Sequence, residues 1–422
     1  MKKKLLVLSV IGLVSFTVIL LRENIMLKGK INIGTDNVEK IKHKDMLSMM
    51  LETEAGSGKY EMVTRDSWPT EDYTFNSILS KCENGGELSW DDENKIILMS
   101  GNLSDKCYVY FDKIMTLSEF VIAQYNGVQG NNNIYYHNST LENGAGDNSY
   151  RYAGSSDTTN NYVCFGSDAE TCPEDNLYRI IGVFDGQVKL IKATIAKKDL
   201  LGADGAAKSS DDLLFTWSNL STCPSDTIAY IQNSIVLRLA KKNIIGAVAE
   251  PSTEGCNIWK YSVLNTINLN FNYLNRISNV WSNMIESTIW KVSGNSTIDV
   301  NPKEMYLAEI TNATKTYGPS DGTSKIGLMY ASDYGYAASP SIWKRNLSSY
   351  GNTSENWLYL YDGWLLTPKS IDSKFVFVIS SNGKLVSSSA LSTNRVRPVF
   401  YLLPSVTYSS GDGTKDAPIR IN

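Results

Sequence analysis

Histidine is almost absent from this 422-residue chain, which contains only His43 and His137. Histidine is the side chain that most often acts as a general base and most often ligates transition metals. Neither histidine lies near a cysteine, and the cysteines form no Cys-x-x-Cys pair, which argues against a metal site. Because both histidines precede residue 150, the sequence excludes a Ser-His-Asp triad from residues 150–422. We therefore expect no metal, no cofactor and no enzyme.

An excess of positive charge is also missing. The 40 Lys and Arg residues stand against 44 Asp and Glu, so the formal net charge is -4. A nucleic-acid surface neutralises phosphates with clustered cations, and no basic stripe runs along this sequence. We therefore expect no nucleic-acid partner. The chain also lacks an internal repeat of fixed period, which argues against a solenoid or a propeller.

Long apolar runs are scarce, and the first one lies at the N-terminus. Three lysines precede a run that begins at Leu5 and ends at Leu21. A positive start followed by an apolar run is typical of an export signal. This run is barely long enough to span a membrane, and no Ala-x-Ala cleavage site follows it. We predict an uncleaved signal-anchor over residues 1–25, with the rest of the chain outside the cell. Cleavage, which would give a secreted protein, stays open.

The six cysteines are an even number in a chain that we predict to be exported, and this indicates disulfide bonds. The sequence alone leaves several connectivities open. Grouping the cysteines by their position along the chain favours three pairs, which are Cys82 with Cys107, Cys164 with Cys172, and Cys223 with Cys256. Such bonds would require an oxidising compartment.

Composition shifts divide the rest of the chain. Residues 26–58 are charged and are predicted to be a partly helical stalk. Short strand patterns separated by turn residues over 59–113 are typical of a small β-sandwich module. A helix and a polar linker are predicted over 114–149, and there we expect His137 to be solvated. One large domain is predicted to follow over 150–422.

The clearest structural signal in the large domain is the segment 177–192, where two apolar runs flank Asp185 and Gly186. This dipeptide supplies the positive φ angles of a type I′ turn, so we predict a hairpin. The first strand is apolar on both faces and should lie in the middle of a sheet. In the second strand, Gln187 and Lys189 predict one partly solvated face.

Helices and further strands are predicted around this hairpin. Apolar residues at helical spacing predict helices over 227–242, from Ser262 onward and over 281–290. Strand patterns return in the last third, where Asn382-Gly383 indicates another hairpin. The predicted fold class is therefore α+β, with an N-terminal membrane helix, a small β-sandwich-like module and a C-terminal mixed domain.

Several stretches of the large domain occur in a recognisable order. They are residues 176–184, Trp259 with residues 262–275, residues 325–343, residues 394–402, and the ending from Gly411 to Ile421. This order resembles the C-type-lectin-like fold in the version shared with formylglycine-generating enzymes, and in particular surface domains of Gram-positive gut bacteria. Residues 47–113 also resemble the β-module found ahead of such domains.

The chemistry of that fold family is not carried over to this chain. The enzymes that share the fold hold copper with two late cysteines, and here no cysteine follows Cys256. Lectins of the fold bind calcium through Glu-Pro-Asn or Gln-Pro-Asp together with Trp-Asn-Asp, and none of these motifs is present. The resemblance implies a fold and leaves the ligand open.

Aromatic residues cluster between 330 and 364 and supply the candidate ligand-binding residues. Tyr and Trp give a large contact area at low entropic cost. The six candidates are Tyr334, Tyr336, Trp343, Trp357, Tyr359 and Trp364. We therefore predict an extracellular binding or adhesion protein with a glycan or protein ligand, held at the outer side of the cell membrane or secreted. Two alternatives stay open: a structural component of the cell envelope, and a carbohydrate-active enzyme that uses carboxylates such as Asp211 and Asp212.

Overall fold

The computed structural model describes residues 32–33, 47–63, 72–101, 105–207, 211–221, 223, 255–317, 325–351 and 353–422. The predicted signal-anchor, the stalk as far as residue 46 except residues 32–33, and the predicted helix over 227–242 lie outside the described residues. The chain divides into a smaller unit, Met1–Met115, and a larger unit, Thr116–Asn422. The larger unit therefore includes the segment that we predicted to be a helix and linker ahead of residue 150.

The smaller unit consists of short strands in two sheets. Its strands are β1 Asn32–Ile33, β2 Leu47–Glu52, β3 Tyr60–Val63, β4 Tyr73–Phe75, β5 Lys81–Cys82, β6 Glu87–Asp91, β7 Ile96–Ser100 and β8 Cys107–Lys113. One sheet has the order β1-β7-β6, and the other has the order β3-β2-β8-β4 with β5 also paired to β8. Strand β2 lies where we predicted a partly helical stalk. The two sheets share a small core of Met49, Ile97, Val109 and Phe111.

The larger unit contains fifteen strands among its described residues. They are β9 Ile134–Tyr136, β10 Tyr150–Tyr152, β11 Tyr162–Cys164, β12 Leu177–Phe184, β13 Gln187–Lys192, β14 Phe215–Thr216, β15 Trp290–Lys291, β16 Thr316–Tyr317, β17 Gly363–Pro368, β18 Phe375–Ile379, β19 Leu385–Ser389, β20 Thr393–Asn394, β21 Val399–Tyr401, β22 Tyr408–Ser410 and β23 Arg420–Ile421. The main sheet has the order β21-β13-β12-β10-β9, and β11 also pairs with β12.

The helices described in this unit are short. The α-helices are α1 Leu117–Tyr125, α2 Lys198–Leu201, α3 Asn279–Ser282, α4 Pro302–Tyr306 and α5 Ala331–Tyr336, and π-helical turns cover Leu264–Tyr273 and Leu307–Thr311. Single 3₁₀ turns lie at Asn131–Asn133, Glu174–Asn176, Trp259–Tyr261, Leu274–Arg276, Pro340–Ile342, Leu347–Ser349 and Thr353–Glu355. Thr116 and Glu119 form a capping box at the start of α1, which fixes where that helix begins.

The structure confirms both predicted hairpins. Phe184 pairs with Gln187, and the turn residues between them have positive φ angles, 49° at Asp185 and 78° at Gly186. Strand β12 is buried along almost its whole length and lies inside the main sheet, as an apolar pattern on both faces predicts. The second hairpin joins β18 to β19 and turns through Gly383, with Ile379 paired to Leu385.

The predicted fold class is wrong. The described residues form mostly strands and irregular segments, and the longest α-helix, α1, has 9 residues. Among the residues that the structure describes, no helix has the length and apolar character needed to cross a membrane. Of the predicted 281–290 helix, only its first two residues are helical, at the end of α3 Asn279–Ser282. Trp290, at its other end, belongs to β15.

Asparagines explain the departure from regular helix after Ser262. In the segment Leu264–Tyr273, Asn265, Asn268 and Asn270 donate side-chain hydrogen bonds to the carbonyls of Trp259, Leu201 and Ile326. These asparagines satisfy the backbone of neighbouring loops, so the polar side of the helix is bound to other parts of the unit instead of facing water.

The three predicted disulfide pairs are confirmed. Cys82 is bonded to Cys107, Cys164 to Cys172, and Cys223 to Cys256, with Cα–Cα distances of 4.0, 5.8 and 4.9 Å. No cysteine of the chain is free. The bond from Cys82 to Cys107 joins two paired strands beside the small core of the smaller unit.

Candidate functional site

The six aromatic residues predicted to bind a ligand do not form an open surface. Five of them are core residues that expose 1 or 2% of their surface, namely Tyr334, Tyr336, Trp343, Trp357 and Trp364. Each tryptophan N–H donates to a backbone carbonyl, for example Trp357 Nε1 to Tyr152 O at 2.8 Å. Tyr359 is half-buried, and its hydroxyl donates to Ser381 O at 2.7 Å. These aromatic residues stabilise the larger unit and do not form a binding surface.

A cavity of about 390 Å³ in the larger unit is a better candidate. We call it the Arg151 pocket and define it by Arg151 of β10, Lys189 of β13, Asp333 of α5, Asp147, Thr288 and Tyr306, all of which line it. Its volume falls within the range of roughly 300 to 1,000 Å³ that is common for small-molecule sites. The pocket collects side chains from the main sheet, from α5 and from the segment that leads into β15.

Arg151 reaches the pocket from the middle of the main sheet. It pairs with Gly182 of β12, where an added Cβ would lie 2.3 Å from the carbonyl oxygen of Tyr150. Only glycine fits opposite the arginine at this point. The guanidinium carbon lies 4.8 Å from the ring centroid of Phe184 and 4.9 Å from that of Tyr336, so aromatic rings hold the cation in place.

The guanidinium of Arg151 is buried but only partly hydrogen-bonded. Nε donates to Ser149 Oγ at 2.8 Å, and Nη2 donates to Asp147 Oδ2 at 2.5 Å. Nη1 has no hydrogen-bond partner within the described structure and lies 4.0 Å from Asp333 Oδ1. Burial lowers the pKa of Arg151, but the carboxylates of Asp147 and Asp333 outweigh it and leave that pKa above its usual value. The pocket therefore contains a charged donor whose Nη1 amino group is unused.

Lys189 and Asp333 form a second buried pair at the pocket. Lys189 Nζ lies 2.5 Å from Asp333 Oδ2, and the two side chains expose 1% and 3% of their surface. The ammonium lies 4.5 Å from the ring centroid of Tyr330 and 5.2 Å from that of Tyr401. Burial lowers the pKa of Lys189, and the charge of Asp333 more than compensates, so the net shift is upward. Our prediction that Lys189 lies on a partly solvated face is wrong. Its partner Asp333 lies far away in the sequence, so the pattern along the strand could not predict this ion pair.

Glu309 is a third buried carboxyl beside the pair. It accepts hydrogen bonds from the backbone N–H groups of Ala331 and Ser332, at 3.0 and 3.1 Å, and from the hydroxyl of Thr367. The side chain is fully buried, and burial raises the pKa of Glu309 to about 7. Asp333 accepts from Tyr330 N at 2.9 Å, so both carboxyls bind the first turn of α5.

The outer part of the pocket comes from the segment before β15. The Thr288 hydroxyl is buried and has no hydrogen-bond partner in the part of the chain that the structure describes. Its neighbour Ile289 is 65% exposed and also lines the pocket. The charged residues that line the pocket are three cations, Arg151, Lys189 and Lys291, and four carboxylates, Asp147, Asp185, Glu286 and Asp333.

The groups that line the pocket are suited to hydrogen bonding with a polar molecule. Histidine and cysteine do not line the pocket, and the described residues contain no cluster of side chains suited to hold a metal ion. The predicted carboxylate pair Asp211-Asp212 lies elsewhere, where Asp211 accepts from Leu213 N at 2.9 Å in a local turn. Unpaired donors, hydroxyls and aromatic rings remain, and these are the groups that fix the orientation of a polar ligand.

His137 does not contribute to the pocket and is not solvated as we predicted. It is buried, its Nδ1 accepts from Ala145 N at 3.1 Å, and its ring lies 4.7 Å from that of Tyr336. Burial and the charge of Arg151 hold the pKa of His137 well below its usual value of 6.5. This histidine is therefore a neutral core residue.

Comparison with known proteins does not identify the chain. No protein-family model, no curated protein and no solved structure matches it. The comparisons therefore give no support to the predicted resemblance to C-type-lectin-like domains.

Proposed function

We propose that this chain is an exported binding protein whose larger unit holds one uncharged sugar residue of a glycan in the Arg151 pocket. The observation that carries the proposal is the unused N–H group of Arg151, which is buried at the pocket without a hydrogen-bond partner. A buried donor without a partner loses free energy unless a ligand or a water molecule binds it. The hydroxyl of Thr288 is likewise buried without a hydrogen-bond partner.

A sugar fits the chemistry of the pocket better than a charged ligand does. Its hydroxyls both donate and accept, so they can bind Arg151 Nη1 and the Thr288 hydroxyl together. The rings of Tyr306, Tyr330 and Tyr401 line the same space and offer apolar faces to the C–H groups of a sugar ring. Arg151 and Lys189 each already face a carboxylate, so a charged ligand would have to displace an ion pair to gain a strong partner in the pocket.

Location outside the cytoplasm belongs to the same proposal. Three disulfide bonds include every cysteine of the chain. Disulfide bonds persist in oxidising compartments and are reduced in most cytosols. Glycans of the cell surface or of a host are the sugars available there.

The proposal is tested with a matched pair of threonine variants. The Thr288→Val variant removes the hydroxyl at the pocket, and the Thr194→Val variant removes another buried hydroxyl that has no hydrogen-bond partner and does not line the pocket. A glycan array first identifies a bound sugar, and calorimetry then compares the variants. We expect Thr288→Val to weaken binding about fivefold to tenfold, the effect of one hydrogen bond of about 1 kcal/mol, and Thr194→Val to leave it unchanged. If the parent and both variants bind the glycan equally well, the Arg151 pocket is not the glycan-binding site.

A further inference from the structure

Lys189 and Asp333 are placed for a covalent reaction as well as for an ion pair. We propose that the side chains of Lys189 and Asp333 condense to an amide that links β13 to α5. The reacting groups are the Lys189 amine and the Asp333 carboxyl, whose nitrogen and nearer oxygen are 2.5 Å apart. The two residues are 144 positions apart in the sequence, so the link would join distant parts of the larger unit.

Comparison with a second buried lysine on the same strand shows why this pair is special. Lys192 Nζ lies 3.6 Å from Asp175 Oδ1, but the Asp175 side chain is 72% exposed. Water therefore solvates that carboxylate, and the ion pair is stable as it stands. At Lys189 both partners are almost completely buried, and three aromatic rings, those of Phe184, Tyr330 and Tyr401, lie within 5.4 Å of the nitrogen. Burial of this kind makes each of the two charges costly on its own, so neither can be separated from the other.

The reaction balances without an oxidant or any other reactant. One proton first moves from the Lys189 ammonium to the Asp333 carboxylate, which gives a neutral amine and a neutral carboxylic acid. The amine nitrogen attacks Cγ of Asp333, and the Nζ–Cγ bond forms. The bond from Cγ to one carboxyl oxygen then breaks, and that oxygen leaves as water with the acid proton and one proton of the amine. Fixed contact between the two groups supplies the effective concentration that amide formation needs.

Neighbouring groups can stabilise the charge that develops on Asp333 during the attack. The Tyr330 N–H donates to Asp333 Oδ2 at 2.9 Å, and Arg151 Nη1 lies 4.0 Å from Oδ1, so both can stabilise negative charge on the oxygens during attack. Glu309 binds the same turn of α5.

This inference does not depend on sugar binding. Amide formation removes one positive and one negative charge, so the charge balance of the pocket is unchanged. The unused N–H of Arg151 and the hydroxyl of Thr288 also stay in place. A protein that binds no glycan could still carry the link, and a protein without the link could still bind a glycan.

Mass spectrometry of the full chain, after reduction of the disulfides and proteolysis, tests the link. We expect one branched peptide that contains both Lys189 and Asp333 and is lighter than its two parts by one water molecule. In Asp333→Asn the amine would displace ammonia, so the branched peptide from this variant should have the same mass as that from the parent. Asp175→Asn, which alters the partner of Lys192, should leave the link intact.

The expected pattern separates a covalent link from an ion pair. Recovery of the parent peptides with a free Lys189 amine and a full-mass Asp333 would overturn the proposal. The same conclusion would follow if the parent and Asp333→Asn peptides kept the mass difference of the substitution. Because asparagine has almost the shape of aspartate, this variant should fold and keep the test decisive.

Discussion

The two units bury carboxylates in different ways. In the smaller unit, Glu52 is 3% exposed and accepts hydrogen bonds from the backbone N–H groups of Gly58 and Lys113, at 2.7 and 3.0 Å. Asp105 is buried as well and accepts from the N–H groups of Asn84 and Gly86. These carboxylates are satisfied by loops of their own unit. Such an arrangement stabilises turns and leaves no group for a ligand.

In the larger unit, Glu309 is also held by backbone N–H groups, but the carboxylates of Asp147 and Asp333 face buried cations. Asp147 and Asp333 bind Arg151 and Lys189, and one N–H of the arginine remains without a hydrogen bond. Buried ion pairs are poor contributors to stability, because the loss of hydration offsets most of their attraction. A pair that is retained for stability alone is therefore better replaced by apolar residues. The contrast with the smaller unit supports a chemical role for the charges of the larger one.

The largest effect that we predict comes from removing one carboxylate in each unit. Asp333→Ala leaves Lys189 buried without a partner and should lower the free energy of unfolding of the larger unit by about 3 to 5 kcal/mol. Glu52→Ala leaves only two backbone N–H groups unsatisfied, so we expect a loss of about 1 to 3 kcal/mol in the smaller unit. Urea unfolding, followed for each unit by hydrogen exchange, measures both values.

Asp175→Ala is the control for the larger substitution. It also removes the carboxylate beside a buried lysine, Lys192, but this carboxylate is 72% exposed, and we expect less than about 1 kcal/mol. Equal losses for Asp333→Ala and Asp175→Ala would show that burial of the carboxylate does not set the cost of removing it.

The units should also respond to pH in opposite directions. Burial raises the pKa of Glu309 from 4.5 to about 7, so the folded larger unit holds this proton more tightly than the unfolded chain does. Its stabilising contribution is complete below about pH 4.5 and is lost as the pH rises through 7, by about 3 kcal/mol in total. In the smaller unit, burial acts to raise the pKa of Asp105, but hydrogen bonds from Gly86 and Asn84 outweigh it and lower that pKa. This contribution is present above pH 3.8 and is lost on acidification.

Hydrogen exchange at several pH values, corrected for the intrinsic rate, separates the two responses. Glu309→Gln should remove the loss of protection in the larger unit between pH 4.5 and 7 and leave the smaller unit unchanged. A parallel decline of both units over that range would show that Glu309 does not control it.

Local features of this structure could be read from the sequence, and long-range ones could not. The hairpin at Asp185-Gly186 depends on the φ angles of two residues, and the disulfide bonds join the cysteines that grouping by position along the chain favours. Gln187 and Lys189 are polar residues at alternate positions of the strand, and this pattern predicts a partly solvated face. The residue that permits the burial of Lys189, Asp333, lies on α5 at a distance of 144 residues.

The candidate site was missed for the same reason. Aromatic density between 330 and 364 predicted a binding surface, but each of the three tryptophans there has its N–H bonded to a backbone carbonyl and lies in the core. The Arg151 pocket instead combines β10, β13, α5 and the segment before β15. One signal was present in the sequence: Arg151 lies between two tyrosines in β10, and Lys189 lies between Val188 and Leu190 in β13. Such residues indicate buried partners, but they do not say which ones.

The smallest effect that we predict concerns an exposed residue, and it rests on the proposed sugar site. Ile289 lines the Arg151 pocket and is 65% exposed, whereas Ile371 is 74% exposed and lies away from the pocket. Serine at either position should change the free energy of unfolding by less than about 0.5 kcal/mol, because both side chains already face water. Ile289→Ser should nevertheless weaken glycan binding about threefold through lost apolar contact, and Ile371→Ser should not. Calorimetry with the same glycan measures both, and equal affinities would mean that the bound sugar does not reach the outer part of the pocket.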